Sequence, residues 1–389
     1  MARESIFTGH RHVERAINGW VEAGLIDAAT AVRLREHERA GQPPHTGRLA
    51  MVAFGFGGLL LASGLFLFVA ANWQDLSPWW RFSLVIAVIT VLHLGGAVGG
   101  RFSPSLATTL HGVGTAALGA GIFLAGQVFN LQAHWPQAFL LWALGAGVAA
   151  LLLRDWPQTL WVAVLGPMWL TAEWVSRFPW YAGMSGSVVV YFGVVVLSVA
   201  YLAAPAPGLD VPWRRALARL GAAVLIPAAS MLAVSGYAGL DLAEQEREPV
   251  PRALLWTGWS VAVVLPFALA WLMRRRQAWP VAVAAVLAGI VVLFDPGVTW
   301  QRLGIFLVCA AGSASLVAWG VMDGARLRVN IGVLAFALTV LAFYFSSLFG
   351  MLGRAFGLIG MGLLCIGGGW LAERGRRRLI ERLERRAAP

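Results

Sequence analysis

Apolar runs of about twenty residues, broken by short polar turns, fill the chain from Leu49 onward. The stretch from Gly55 to Gly100 sets the pattern. An apolar run ends at Asn72-Trp73-Gln74-Asp75-Leu76-Ser77-Pro78-Trp79-Trp80-Arg81, and a second run leads away from that turn. A bilayer core about 30 Å thick is crossed by about 20 apolar residues of helix. On that rule the pattern predicts about twelve spans, at 49–71, 82–99, 105–130, 138–153, 158–176, 185–203, 220–240, 253–273, 279–294, 303–321, 330–350 and 355–372. The expected fold is all-α: a polytopic transmembrane helical bundle over 48–372. A short cytoplasmic helical segment, 1–47, precedes it, and a basic cytoplasmic tail, 373–389, follows.

In the first segment, Ile17, Trp20, Val21, Leu25, Ile26, Val32 and Leu34 are spaced to cover one side of a short helical pair. Gly24 is the expected break and Asp27 the expected N-cap of the second helix. The tail carries Leu379, Ile380 and Leu383 along one face among arginines. Arg374, Arg376, Arg377 and Arg378 are therefore expected to lie against anionic headgroups.

Composition agrees with many spans rather than one buried helix: 59% of residues are apolar and 13% charged, about half the charged fraction of a soluble domain. All 30 basic residues are Arg, and their placement orients the chain. With the N-terminus in the cytoplasm, 24 arginines fall on the inner side and six outside (Arg81, Arg177, Arg247, Arg252, Arg302 and Arg354). Such a bias in short loops is what the positive-inside rule requires, so the expected topology is N-in and C-in with an even number of spans. The pI of 11.1 then follows from topology, and no nucleic-acid partner is needed to explain it. Cys309 and Cys365 lie within apolar runs and read as core filler.

Two turns resemble each other. Gly64-Leu65-Phe66-Leu67 leads to Asn72, and Gly121-Ile122-Phe123-Leu124 leads to Asn130-Leu131-Gln132-Ala133-His134-Trp135-Pro136-Gln137. They lie two spans apart and so share an orientation, as parallel repeats do. The segments Gly19-Trp20-Val21-Glu22-Ala23-Gly24-Leu25-Ile26-Asp27, Phe68 to Gln74 and Gly126 to Gly145 resemble a bacterial membrane-protein family, domain of unknown function 2157. The likeness covers about residues 10–155, with a looser one from Tyr344 to Arg374. Where the family pattern implies an aromatic-His pair in the second turn, this chain has Phe129-Asn130. The resemblance implies a multi-pass protein of the bacterial inner membrane and carries no activity with it.

Within the spans the one acidic residue is Glu173, close to Trp174 and Arg177 near the outer end of the fifth. Ionisable groups at membrane depth are candidates for function. Asn72, Gln74, Asp75, Gln127, Asn130 and His134 gather toward the outer surface in sequence. If the two hairpins pack together, these residues form a polar, Trp-lined pocket facing outward. His93 and His111, in the second and third spans, read as interhelical hydrogen-bonding residues rather than ligands; they lack Cys or carboxylate neighbours at metal-ligand spacing, so neither a metal site nor another cofactor is expected. Pro167, Pro227 and Pro266 lie inside spans and are expected to kink them.

No phosphate loop, nucleophile elbow or metalloprotease helix is present, which argues against an enzyme. The leading expectation is a carrier or lipid-handling protein with membrane lipids as partners. An alternative is a non-catalytic scaffold or accessory subunit that docks a cytoplasmic or membrane partner through its N-terminal helices. The weakest is an intramembrane enzyme using Asp75 or Glu173, with Arg81 and Arg177, on a lipid-linked phosphate.

Overall fold

The computed structural model describes residues 17, 20–21, 23–40, 75–130, 134–177, 183–205, 211–235 and 251–348, and single positions between 362 and 374. The expected spans 49–71 and 355–372, the first turn through Gln74, and Arg376, Arg377 and Arg378 lie outside the described residues or nearly so. Arg374 is exposed, and its guanidinium lies 4.9 Å over the Trp370 ring, one helical turn earlier.

The chain divides into two units, Met1–Ser77 and Pro78–Pro389. In the first, helix α1 spans Ala28–Ala40. Its start is as the sequence predicts. Gly24 takes a left-handed conformation (φ +67°), and the Asp27 carboxylate accepts a hydrogen bond from the Thr30 N–H at 3.1 Å. Hydrogen bonding from the Thr30 hydroxyl, and then from its N–H, holds the Asp27 carboxyl below the usual carboxylate range. Of the apolar set, Ile17 is buried, whereas Trp20, Leu25, Val32 and Leu34 are exposed.

The second unit is helical throughout its regular structure. Its helices are α2 (Pro78–Gly99), α3 (Pro104–Val128), α4 (Pro136–Leu153), α5 (Trp156–Arg177) and α6 (Gly183–Leu202). Then come α7 (Pro212–Ser235), α8 (Arg252–Arg274), α9 (Trp279–Val292), α10 (Thr299–Met322) and α11 (Arg326–Phe343), which runs into a π turn at Tyr344–Leu348. These ten helices fall on the ten expected spans that lie among the described residues. Seven of them are long and apolar enough to cross a membrane by length and composition: α2, α3, α4, α7, α8, α10 and α11 with its π turn. Shorter apolar helices are α9, with 14 residues, and the Gly186–Leu202 part of α6.

Sequence neighbours pair into hairpins, α2–α3, α4–α5, α6–α7 and α10–α11, and α6 is the hub that also meets α5, α8 and α9. The reason is in its sequence. Val188, Val189, Phe192, Val196, Val199 and Ala200 are all buried, and a helix apolar on every side must be covered on every side. Peripheral helices show the reverse: Val91 and Leu94 on α2 and Leu151 and Leu152 on α4 are exposed, the outward apolar surface that lipid solvates. At Gly221 two helices come close together. A Cβ there would stand 2.4 Å from the Ser198 carbonyl oxygen, so α7 reaches α6 backbone to backbone.

At one end of the bundle three turns meet on a single carboxylate. Arg274, at the end of α8, donates to Asp323 Oδ2 at 2.7 Å; Trp319 Nε1 donates to the same oxygen at 3.0 Å, and Arg328 of α11 also donates to it. Arg328 goes on to the carbonyls of Leu202 (3.1 Å) and Pro205 (3.2 Å), capping α6, and lies 3.9 Å over the Trp319 ring. Burial alone would raise the Asp323 carboxyl, but Arg274 and Arg328 outweigh it and hold the group below the usual range. Arg214 closes the same end with a bond to the Ala204 carbonyl at 2.8 Å.

Candidate functional site

At the opposite end, where α5 finishes and α6 begins, the polar residues of the α3–α4 turn meet α5. His134 Nε2 lies 2.9 Å from Glu173 Oε2, and Arg177, one turn further along α5, pairs with Glu173 Oε1. Glu173 is thus shared between a histidine 39 residues away and an arginine at i+4. The cluster is accessible: Arg177 is 64% and His134 41% exposed at the side chain, while Glu173 is 22% exposed.

Beneath it lies a cleft of about 360 Å³ between α5, α6 and α8. Glu173, Arg177, Trp169 and Trp174 line it together with aliphatic residues of α6, and Pro167 and Pro266 stand on its α5 and α8 walls. Both prolines sit inside helices that continue through them, as expected for membrane helices whose freed carbonyls are satisfied by neighbours. Trp174 fixes the mouth. Its Nε1 donates to the Gly186 carbonyl at 2.9 Å, and its ring lies so close to Gly258 that a Cβ there would be 2.3 Å away.

A second cleft, about 590 Å³, opens between α6, α7, α9, α10 and α11. It follows α10 from Trp319 to Arg302, about 25 Å at 1.5 Å per residue, with Leu, Ile, Val and Ala along most of its length. Arg302 donates from Nε to the Pro296 carbonyl at 2.9 Å and marks one mouth.

The predicted site residues therefore separate. His134 and Glu173 come together. Gln127 and Asn130 are exposed at the end of α3, where Asn130 takes a left-handed conformation (φ +49°), and neither lines either cleft. Asp75 is exposed in the first unit, and Asn72 and Gln74 lie outside the described residues. Sequence reasoning missed Asp323, whose signal was an isolated acid between basic turns. His93 and His111, read as interhelical hydrogen-bonding residues, do meet across helices, although their being each other's partner was not foreseen; both stand in the pattern His-x-x-Gly on consecutive helices. Among the described residues no group of three or more His, Cys, Asp or Glu could hold a metal ion.

Residues 18–159 match the model of a family described as predicted membrane protein, DUF2157. The match takes in α1 through α4 and stops in the first turn of α5, so it includes His93, His111 and His134 but not Glu173 or either cleft. No curated protein and no solved structure matches the chain. The matched family and the succession of long apolar helices identify a multi-pass integral membrane protein.

Proposed function

We propose that the protein is a lipid-handling carrier of the bacterial inner membrane, and that the α5–α6–α8 cleft holds an amphiphile at the outer surface. The observation that carries this reading is the junction of the His134–Glu173–Arg177 cluster with an apolar cleft walled by two proline-bearing helices. The polar end of the ligand sits on the carboxylate and guanidinium, which together select a zwitterionic or hydrogen-bonding headgroup over a strongly anionic one. Its apolar part lies between Pro167 and Pro266. The arginine bias supports an N-in, C-in chain with an even number of spans, the orientation in which this mouth faces outward.

Native mass spectrometry of gently extracted protein tests the reading. Wild type is expected to retain a lipid that Glu173→Gln loses, with Arg177→Gln showing the same loss. Equal lipid retention by all three proteins overturns it.

A second reading rests on the first unit, where Trp20, Leu25, Val32 and Leu34 are exposed and suit a protein partner. A stable second protein with no retained lipid in the same spectra, lost on deletion of residues 1–40, favours that scaffold role.

A further inference from the structure

Two histidines that the sequence sets on separate helices meet inside the bundle. His93 on α2 and His111 on α3 bring their Nδ1 atoms to 3.3 Å. Their ring centres are 5.6 Å apart and the ring planes differ by 27°. The centre-to-centre distance is thus the N···N distance plus one ring radius at each end. The two Nδ1 atoms point at each other, and the rings are nearly coplanar rather than stacked face to face. This is the arrangement of an N–H···N bond, in which one nitrogen carries hydrogen and the other a lone pair.

The seat for this pair is built from both helices. The segments are His93-Leu94-Gly95-Gly96 on α2 and His111-Gly112-Val113-Gly114 on α3. A Cβ on Gly96 would stand 2.7 Å from the His111 ring, and one on Gly114 would stand 2.9 Å from His93 Nε2. Each ring therefore lies over the glycine of the opposite helix, a reciprocal packing that any larger residue would disrupt. His93 is six residues from Gly99 and His111 seven from Pro104, so both lie about 10 Å inside their helices at 1.5 Å per residue. His111 is buried and His93 half-buried.

We infer that His93 and His111 form an intramembrane site that binds one proton. Neutral, the pair holds two ring hydrogens: one lies between the Nδ1 atoms, and the other is on the Nε2 of the ring that accepts at Nδ1. A proton taken up on the free Nε2 of the donor ring gives a cation in which the shared hydrogen sits on either Nδ1. The charge is then spread over two rings through a charge-assisted hydrogen bond. A second proton is excluded, because it would set two imidazolium rings against each other at this distance.

The surroundings leave the pair as the titratable centre of its layer. α4 and α5, which pack on α3, bring Trp142, Gln158 and Trp161 to it. The charged residues of α2 to α5 and their turns stand at the helix ends, with Arg101, Arg154 and Asp155 at one and Arg81, Glu173 and Arg177 at the other. Gln158 is fully buried in the first turn of α5. Its Oε1 is 2.7 Å from the Thr115 hydroxyl, which is 3.1 Å from the His111 carbonyl. The Gln158 Nε2 has no partner among the described residues, an amide that one water would satisfy. A buried polar thread thus runs from the α4–α5 end of the bundle as far as the His111 backbone carbonyl, beside the pair. This site is independent of the lipid cleft and stands or falls without it.

Nitrogen NMR on the full chain, labelled with ¹⁵N-histidine in phosphatidylcholine vesicles, reads the site directly between pH 5 and 8, where histidine changes charge. At the basic end, a correlation across the hydrogen bond should join the two Nδ1 atoms. On acidification both rings should titrate with one midpoint and one proton per chain. His111→Gln should remove the correlation and move the His93 midpoint by about one pH unit or more. Two rings that stay neutral over the whole range, or that titrate separately with His93 unmoved by His111→Gln, overturn the inference. The wild-type titration decides by itself if the variant fails to fold.

Discussion

Replacing Asp323 by Asn removes the one negative charge at a junction that holds α6, α8, α10 and α11 together. Arg274 and Arg328, whose side chains are 2% and 3% exposed, then face each other without a counter-charge. Breaking a buried ion pair by removing one partner costs about 3–5 kcal/mol. The Asp323 side chain is itself 23% exposed, which argues for the low end, about 3 kcal/mol. For a chain this large that corresponds to a fall in melting temperature on the order of 4 °C. The assay is thermal loss of the monodisperse peak in detergent at pH 7. Because the remaining stress is the surplus charge, the double variant Asp323→Asn/Arg274→Met, which leaves the Arg328 cap of α6 in place, should recover part of the loss rather than add to it. The pH dependence has a fixed sign. The folded carboxyl is held below its unfolded value, so its contribution is complete above about pH 4 and is lost as pH falls through the lower folded value. Wild type and Asp323→Asn should therefore converge only in strong acid. A melting temperature within about 1 °C of wild type at pH 7, or a double variant worse than the single, would refute the reasoning.

Gly221→Ala should destabilise the bundle by about 1–3 kcal/mol, because the new methyl meets the α6 backbone at Ser198, which cannot swing aside; the same melting assay checks it. Gly119→Ala should act in the same direction. Its Cβ would fall 2.1 Å from the Trp142 ring, which is tied by its Nε1 to the Thr115 carbonyl and packed on Trp161. Gly126→Ala, with open space around it, is the matched control and should melt like wild type. Asp27→Ala should speed amide exchange at Thr30 and Ala31 at the start of α1 without changing the melting of the second unit.

Much of the helical layout was legible because each span must carry its own apolar length. The starts and stops at Pro78, Pro104, Pro136 and Trp279 agree with the expected runs within a few residues. Glu173 was legible as a candidate since a carboxylate amid apolar residues stands out in one dimension. Its histidine partner was not visible as such, since a contact across 39 residues depends on how α3, α4 and α5 pack. Gln127 and Asn130 show the converse. Clustering of polar residues in sequence at a turn does not say whether they face a cavity or solvent, and here they face away from both clefts. In the first segment, apolar spacing picked out Trp20, Leu25, Val32 and Leu34, which are exposed, but spacing cannot say what they dock on.

The sequence by itself determined that the chain is all-helical and multi-pass. In a bilayer every backbone group must be satisfied within its own helix, so composition and run length suffice. It also determined the cap at Asp27, which needs only residues three apart. Tertiary structure alone decided that His93 and His111 face each other over reciprocal glycines, and that Asp323 gathers two arginines from different helices. Both depend on the rotation of each helix about its axis. An almost uniformly apolar helix such as α2 or α6 carries little amphipathic signal to set that angle, so close packing of glycines, rings and buried charges sets it instead.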